Sequence, residues 1–341
     1  MAKVMTIGFI GNGKSTNRYH LPFVLTRDNI KVKTIYNRTI KHDKWKEIED
    51  VKYTTNIDEL LNDPQIDLVV VTTPVKHYEF SKMVLEHNKN CLCEKPFMDT
   101  YKEAKELFDL AKSKNLLIQA YQNRRFDSDF LTVQKVIESG KLGDLLELEM
   151  HFDYYRPEIP ESITEFNPYH SYLYGHGCHT LDQVISYFGK PDSIHYDVRQ
   201  LLGEGRMNDY FDLDLYYNKL KVSVKSSYFR IKSRPSFVVY GKKGMFEHYY
   251  KDLQETDLKK FYLPIDHKDF GVDTPEQYGT LTYYDENNNY HEEKVVSTNG
   301  DYGRVYDDIY QVIINGKEPT ITPSQTLLQM QILEEGIKNL K

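Results

Sequence analysis

Through the first third of the chain, short apolar runs alternate with segments whose apolar positions recur every three or four residues. Val4 to Ile10, Ile30 to Tyr36, Asp67 to Thr72, Asn90 to Cys93 and Leu116 to Ala120 read as strands, and the unbroken run in Asp67 to Thr72 predicts burial on both faces. Helical spacing fills the intervals at Asp58 to Leu61 and Tyr78 to Glu86. A further helix opens at Thr100, with Glu103 at capping-box distance and Ala104, Leu107, Phe108 and Ala111 on one face. Strands and helices in strict alternation predict a doubly wound parallel sheet over residues 1–122.

Beyond Gln122 the pattern changes. A helix is expected from Asp127 to Ser139, with Phe130, Val133 and Ile137 on its apolar face, running into a turn at Gly140 to Gly143. Thereafter a period of two takes over: Phe211, Leu213, Leu215 and Tyr217 alternate with polar residues, as do Leu220, Val222 and Val224 after a tight turn at Asn218-Lys219. Leu145 to Tyr155, Ile194 to Leu201, Phe237 to Tyr249 and a hairpin around Asn287 to Asn289 complete the expected strands. Residues 123–341 are thus expected to form a C-terminal α/β domain with a large open, mostly antiparallel sheet, whose free face meets water or, if apolar, another subunit. Arg156 to Tyr174, rich in Pro, Tyr and acids, is too long for a plain connection and is read as a lid or substrate-lining segment, or a surface insertion.

The candidate chemistry lies where strands end. After the first strand, Gly11-Asn12-Gly13-Lys14-Ser15-Thr16 carries the first two glycines of a dinucleotide turn, with Thr16 in place of the third. Ser15 or Thr16 is expected to cap the next helix, which Pro22 should kink or restart. At the end of the second strand, where a ribose-binding acid is usual, stand Asn37 and Arg38; a carboxylate there would repel a 2′-phosphate, whereas Arg38 attracts one. NADP(H) is therefore favoured, with NAD(H) open. Thr72-Thr73-Pro74 and His77 should line the same edge, as should Glu94 and Lys95, which follow another strand and precede Pro96. In Gly175-His176-Gly177-Cys178-His179-Thr180-Leu181-Asp182, His179 and Asp182 are one helical turn apart, so Asp182 is expected to accept from one ring nitrogen of His179; His176 reads as structural.

Composition narrows the functional classes. With 40% hydrophobic and 28% charged residues the chain is an ordinary globular one, and its net charge of -7 gives no footprint for nucleic acid or an anionic membrane. Three cysteines, Cys91, Cys93 and Cys178, form neither a disulfide framework nor a zinc set, so reduced thiols, no metal and a cytoplasmic location are expected. No apolar run approaches bilayer length and no signal peptide is evident.

The glycine turn, Thr73-Pro74, Glu94-Lys95-Pro96 and Gly177-x-His179-x-x-Asp182, in this order, resemble the Gfo/Idh/MocA oxidoreductases. Tyr121-Gln122-Asn123-Arg124-Arg125-Phe126-Asp127 and His151-Phe152-Asp153-Tyr154-Tyr155-Arg156-Pro157 look like its YhhX-like branch. The resemblance implies an N-terminal Rossmann domain that binds NAD(P), and a C-terminal domain that contacts substrate and forms a homodimer or tetramer through its sheet. It also places Lys95 and His179 at the family's catalytic positions. Many members carry Asp four residues before that histidine, where this chain has Gly175. The implied activity is hydride transfer between nicotinamide and a sugar, polyol or related hydroxy compound: His179 takes the hydroxyl proton, Lys95 holds the reacting oxygen, and Arg124, Tyr155, Arg156 and Tyr172 are candidate substrate contacts. Family-level alternatives are a glycosidase that oxidises its sugar transiently and a dinucleotide-binding regulator without turnover; retention of Lys95 and His179 favours an enzyme.

Overall fold

A computed structural model describes residues 3–39, 44–158, 167, 169, 171–203 and 205–340. The chain divides into two compact units, one of Met1–Asn123, Glu255–Phe270 and Tyr302–Met330, the other of Arg124–Gln254, Gly271–Asp301 and Gln331–Lys341. Two late segments thus belong to the first unit.

In the first unit β1 (Met5–Ile10), β2 (Ile30–Tyr36), β3 (Lys52–Thr54), β4 (Leu68–Val71), β5 (Asn90–Cys93) and β6 (Ile118–Ala120) form a parallel sheet in the order β3-β2-β1-β4-β5-β6. The Rossmann expectation is met, down to the strand order that reverses beside β1. All four side chains of β4 and those of Cys91, Leu92 and Cys93 are fully buried, as an unbroken apolar run requires when helices cover both faces.

Its first helical segment corrects one expectation. A π-helical turn, Thr16–His20, leads into α1 (Leu21–Val24), with Pro22 near its start, so the interruption is present. Neither Ser15 nor Thr16 caps it, because both hydroxyls are committed elsewhere in the fold. α2 (Asp58–Leu61), α3 (His77–Glu86) and α4 (Tyr101–Ser113) follow, and Thr100 and Glu103 make the expected reciprocal capping box on α4.

The second unit holds α5 (Ser128–Glu138), β7 (Leu145–His151), α6 (Cys178–Phe188), β8 (Ser193–Arg199), β9 (Tyr210–Tyr217), β10 (Leu220–Ser227), β11 (Phe237–Gly241), β12 (Gly244–His248), β13 (Gly279–Tyr284) and β14 (Tyr290–Val295). The strands make one sheet, β14-β13-β12-β11-β7-β10-β9-β8, antiparallel except where β7 meets β10. Phe237 to Tyr249 is two strands rather than one, because the chain reverses at Lys242-Lys243 and pairs Phe237 with His248. The strand expected to reach Tyr155 stops at His151, and Tyr155 keeps only an isolated bridge to Phe229. One face buries Phe211, Leu213, Leu215, Val222 and Val224, whereas the other carries the pairs Lys221–Glu147 and Lys225–Asp212 at 2.5 and 3.4 Å. Of the expected lid, residues 159–166, 168 and 170 lie outside the described residues.

Three helices come late: α7 (Gln254–Lys259), α8 (Arg304–Asn315) and α9 (Pro323–Ile337). Among the described residues, no helix is long and apolar enough to cross a membrane.

Leu92 lies in a central strand of the parallel sheet and is fully buried. Leu92→Ala should cost about 2–5 kcal/mol in urea unfolding, the usual loss for a leucine removed from a packed core.

Candidate functional site

Because β1, β4 and β5 are adjacent and parallel, Gly11, Thr72 and Glu94 emerge along one edge of the first unit's sheet. Gly11 sits at φ +117°, and a Cβ there would stand 2.6 Å from Thr72 Oγ1, so only glycine makes this turn. A Cβ at Gly13 would meet nothing within 4 Å, leaving the backbone open to a close-lying ligand. Thr16 does a job that a third glycine does not. Its hydroxyl donates to the carbonyl of Gly11 at 2.8 Å and lies 2.7 Å from Thr72 Oγ1, tying the turn to the end of β4.

The turn borders a cavity of about 370 Å3. Of the expected cofactor residues, Gly11, Asn12, Gly13, Asn37, Arg38, Thr72, Thr73 and Pro74 line it together. Thr39, Lys44 and Trp45, which sequence reading missed, complete the described lining, in which no carboxylate occurs. Thr73 Oγ1 is buried without a hydrogen-bond partner, a polar atom that a ligand here could satisfy. Open space at Gly13 and an orphaned hydroxyl fit a dinucleotide.

Lys14, Ser15, His77, Glu94 and Lys95 do not line that cavity. Glu94 is buried with both oxygens engaged by protein donors: Oε1 accepts from Ser15 Oγ and faces His20 Nε2 at 3.0 Å, and Oε2 accepts from the Lys95 amide at 2.9 Å. The other His20 nitrogen meets the Tyr306 hydroxyl at 2.6 Å, and Tyr121 packs on its ring at 4.1 Å. Burial alone would raise the Glu94 pKa, but the His20 and Ser15 hydrogen bonds and the nearby Lys95 charge bring it down to about 2. Through these bonds Glu94 and Ser15 hold the edge of the sheet in shape. His20 and Tyr306 offered no sequence signal, since their meeting requires the late helix α8.

His77 is likewise internal. Its Nδ1 faces the carbonyl of Pro96 at 2.8 Å and its Nε2 that of Thr73 at 2.7 Å, so it bridges the loops that follow β4 and β5. Carbonyls only accept, so both ring nitrogens must carry hydrogen and the imidazolium is favoured. Burial opposes this, but the Cys93 sulfur and the two carbonyls prevail and raise the pKa to about 10.

In the second unit, α6 places His179 and Asp182 as its periodicity predicts, but their expected partnership is replaced. Both Asp182 oxygens accept from Arg125, at 2.7 Å each, in a buried bidentate pair. Burial raises the Asp182 pKa despite the guanidinium. His179 lines a small cavity of about 10 Å3 with Arg124, Thr180, Gln183 and Lys251. Asp129 shares it, pushed up to about 7 by burial and by the neighbouring Asp252 carboxylate.

Tyr155, Arg156 and Tyr172 do not line the His179 cavity. Tyr172 is buried, donates to the Phe152 carbonyl at 2.7 Å and stacks on Tyr228 at 4.0 Å; Arg156 lies 4.4 Å over Tyr154; Tyr155 is exposed. A Cβ at Gly175 would meet nothing within 4 Å.

Residues 5–122 match the oxidoreductase-family model for an NAD-binding Rossmann fold, and residues 134–340 match that for the C-terminal alpha/beta domain. The chain is 46% identical to the uncharacterized oxidoreductase YhhX of Escherichia coli, over 98% of this chain and 96% of that protein. It is 31% identical to the scyllo-inositol 2-dehydrogenase (NADP(+)) IolW of Bacillus subtilis, over 98% and 93%. A crystal structure of an oxidoreductase from Bacillus cereus superposes with a TM-score of 0.92 at 44% identity, covering 98% of this chain and 95% of that one.

Two outcomes follow from these networks. The Glu94 pKa is depressed from 4.5, so its stabilisation should be fully present above pH 4.5 and lost as the pH falls towards 2. Urea unfolding across that window should show the decline in the wild type and a flatter profile in Glu94→Gln. Asp182→Ala strands the Arg125 charge and should cost about 3–5 kcal/mol by the same assay; a loss below about 1 kcal/mol, the surface-pair range, would show that the pair is not structural.

Proposed function

The chain belongs to the Gfo/Idh/MocA oxidoreductase family, and from that membership we propose that it oxidises a hydroxyl of a sugar, polyol or related compound with NADP. The observation that carries the NADP reading is the wall of the glycine-turn cavity, where Arg38 stands and no carboxylate occurs among the described lining residues. An acid at this edge would bind the ribose hydroxyls of NAD and repel a 2′-phosphate; an arginine pairs with that phosphate. The Bacillus subtilis relative, named as an NADP-dependent scyllo-inositol dehydrogenase, supports both the cofactor and the polyol class.

When bound, the dinucleotide supplies the hydride acceptor. Gly11 and Gly13 let its pyrophosphate approach the backbone, and Thr73 offers its unpartnered hydroxyl. His179 takes the proton from the substrate hydroxyl, and the Lys95 ammonium stabilises the oxygen as negative charge grows on it. Asp182, engaged by Arg125, acts as a positioning residue for α6. The ion pair and the helix together fix where His179 stands.

The test is His179→Asn, assayed by nicotinamide absorbance over a panel of inositols, aldoses and polyols, with NADPH affinity measured separately by calorimetry. Turnover should fall about 10²–10⁴-fold, the usual worth of a general base, while NADPH affinity stays unchanged. Equal losses in both would remove His179 from proton transfer.

A further inference from the structure

One wall of the glycine-turn cavity is more elaborate than pyrophosphate binding requires. Trp45, the single tryptophan of the chain, lines it beside Lys44. Phe261 backs the indole, with ring centroids 5.9 Å apart and planes at 36°, and the Arg18 guanidinium sits 4.9 Å from the Phe261 ring. The Lys44 ammonium lies 5.9 Å from the indole centroid. This layer is assembled from the loop after β2, the helical turn after the glycines and the segment after α7, all within the first unit.

A half-buried indole supported from one side presents a flat apolar surface whose orientation is set before a ligand arrives. Its Nε1 is buried without a hydrogen-bond partner, so the residue is not held there by a polar contact of its own. Planar heteroaromatic bases stack on such surfaces, and two cations lining one cavity suit a phosphomonoester dianion. Arg38 and Lys44 both line the cavity, and its volume of about 370 Å3 accommodates a nucleoside.

We propose that Lys44 and Trp45 form the adenosine 2′-phosphate subsite of this cavity, the indole packing on adenine and Lys44 joining Arg38 on the phosphate. The assignment rests on the NADP reading and adds to it the residues that decide the preference. Arg18 and Phe261 act through Trp45, holding it upright, and are positioning residues.

Trp45 is its own reporter, since selectively excited tryptophan emission comes from this wall alone. The full-length protein is titrated with NADPH, NADH, adenosine 2′,5′-bisphosphate and AMP, following that emission and, in parallel, heat by calorimetry. Emission should change with the bisphosphate, which lacks nicotinamide, and the bisphosphate should bind at least about tenfold tighter than AMP, as expected for charge-assisted phosphate bonds. Lys44→Ala, an exposed substitution, should remove about tenfold from the bisphosphate and NADPH and leave AMP unchanged. Trp45→Ala should weaken all four ligands by about tenfold, and Trp45→Phe should restore most of the loss.

If calorimetry shows NADPH binding while Trp45 emission is unmoved and Trp45→Ala is neutral, the subsite assignment is overturned and the cofactor reading stands. Equal affinity for the bisphosphate and AMP overturns the role of Lys44. If no dinucleotide gives heat, the cofactor reading itself falls, and the subsite with it.

Discussion

The first unit depends on one buried carboxylate. Glu94 closes β5, and its oxygens join Ser15 of the glycine turn, His20 of the following helical turn and the backbone of Lys95; through His20 the network reaches Tyr306 on α8. A buried ion is costly unless each lone pair finds a donor, and here the donors come from segments far apart in sequence. The glycine turn, the end of β5 and the late helix therefore adopt this arrangement together. His77 repeats the device with opposite charge, joining the loops after β4 and β5 through two carbonyls.

The second unit is organised by a comparable constraint. Arg125 and Asp182 form a buried bidentate pair that sets α6, and with it His179, against the segment that follows Gln122. In the same unit Tyr154, Tyr172, His176 and Tyr228 pack ring against ring, with Arg156 and Lys251 over the face of Tyr154. Residues that look in sequence like a row of substrate contacts are in this packing partly a rigid support. The distinction matters for reading variants: loss of Tyr172 removes a stacked ring and a hydrogen bond to the Phe152 carbonyl, whatever its effect on substrate.

Function follows from what each network leaves available. In the first unit Glu94, Ser15 and His77 are engaged internally, and the wall that remains open carries backbone at Gly11 and Gly13, the Thr73 hydroxyl, and cations with an indole. In the second unit Asp182 is occupied by Arg125, and the ionisable groups that share the cavity of His179 are Arg124, Asp127, Asp129, His151 and Lys251.

Local patterning along the chain specified the elements and their class. Apolar runs without alternation specified buried parallel strands, the period of two specified the antiparallel sheet, and Thr100 with Glu103 specified the start of α4, because each depends on neighbours a few residues away. The glycine turn and the non-acidic end of β2 were legible for the same reason. The partners of the buried charged side chains were set by the folded arrangement. Asp182 is one turn from His179 yet pairs with Arg125, and Glu94 meets His20, because burial rewards whichever donor completes the hydrogen bonds rather than whichever is near in sequence. Lys44 and Trp45 escaped sequence reading on the same ground: a lysine and an aromatic in a polar loop resemble solvated surface until Phe261, more than two hundred residues later in the chain, is folded behind them.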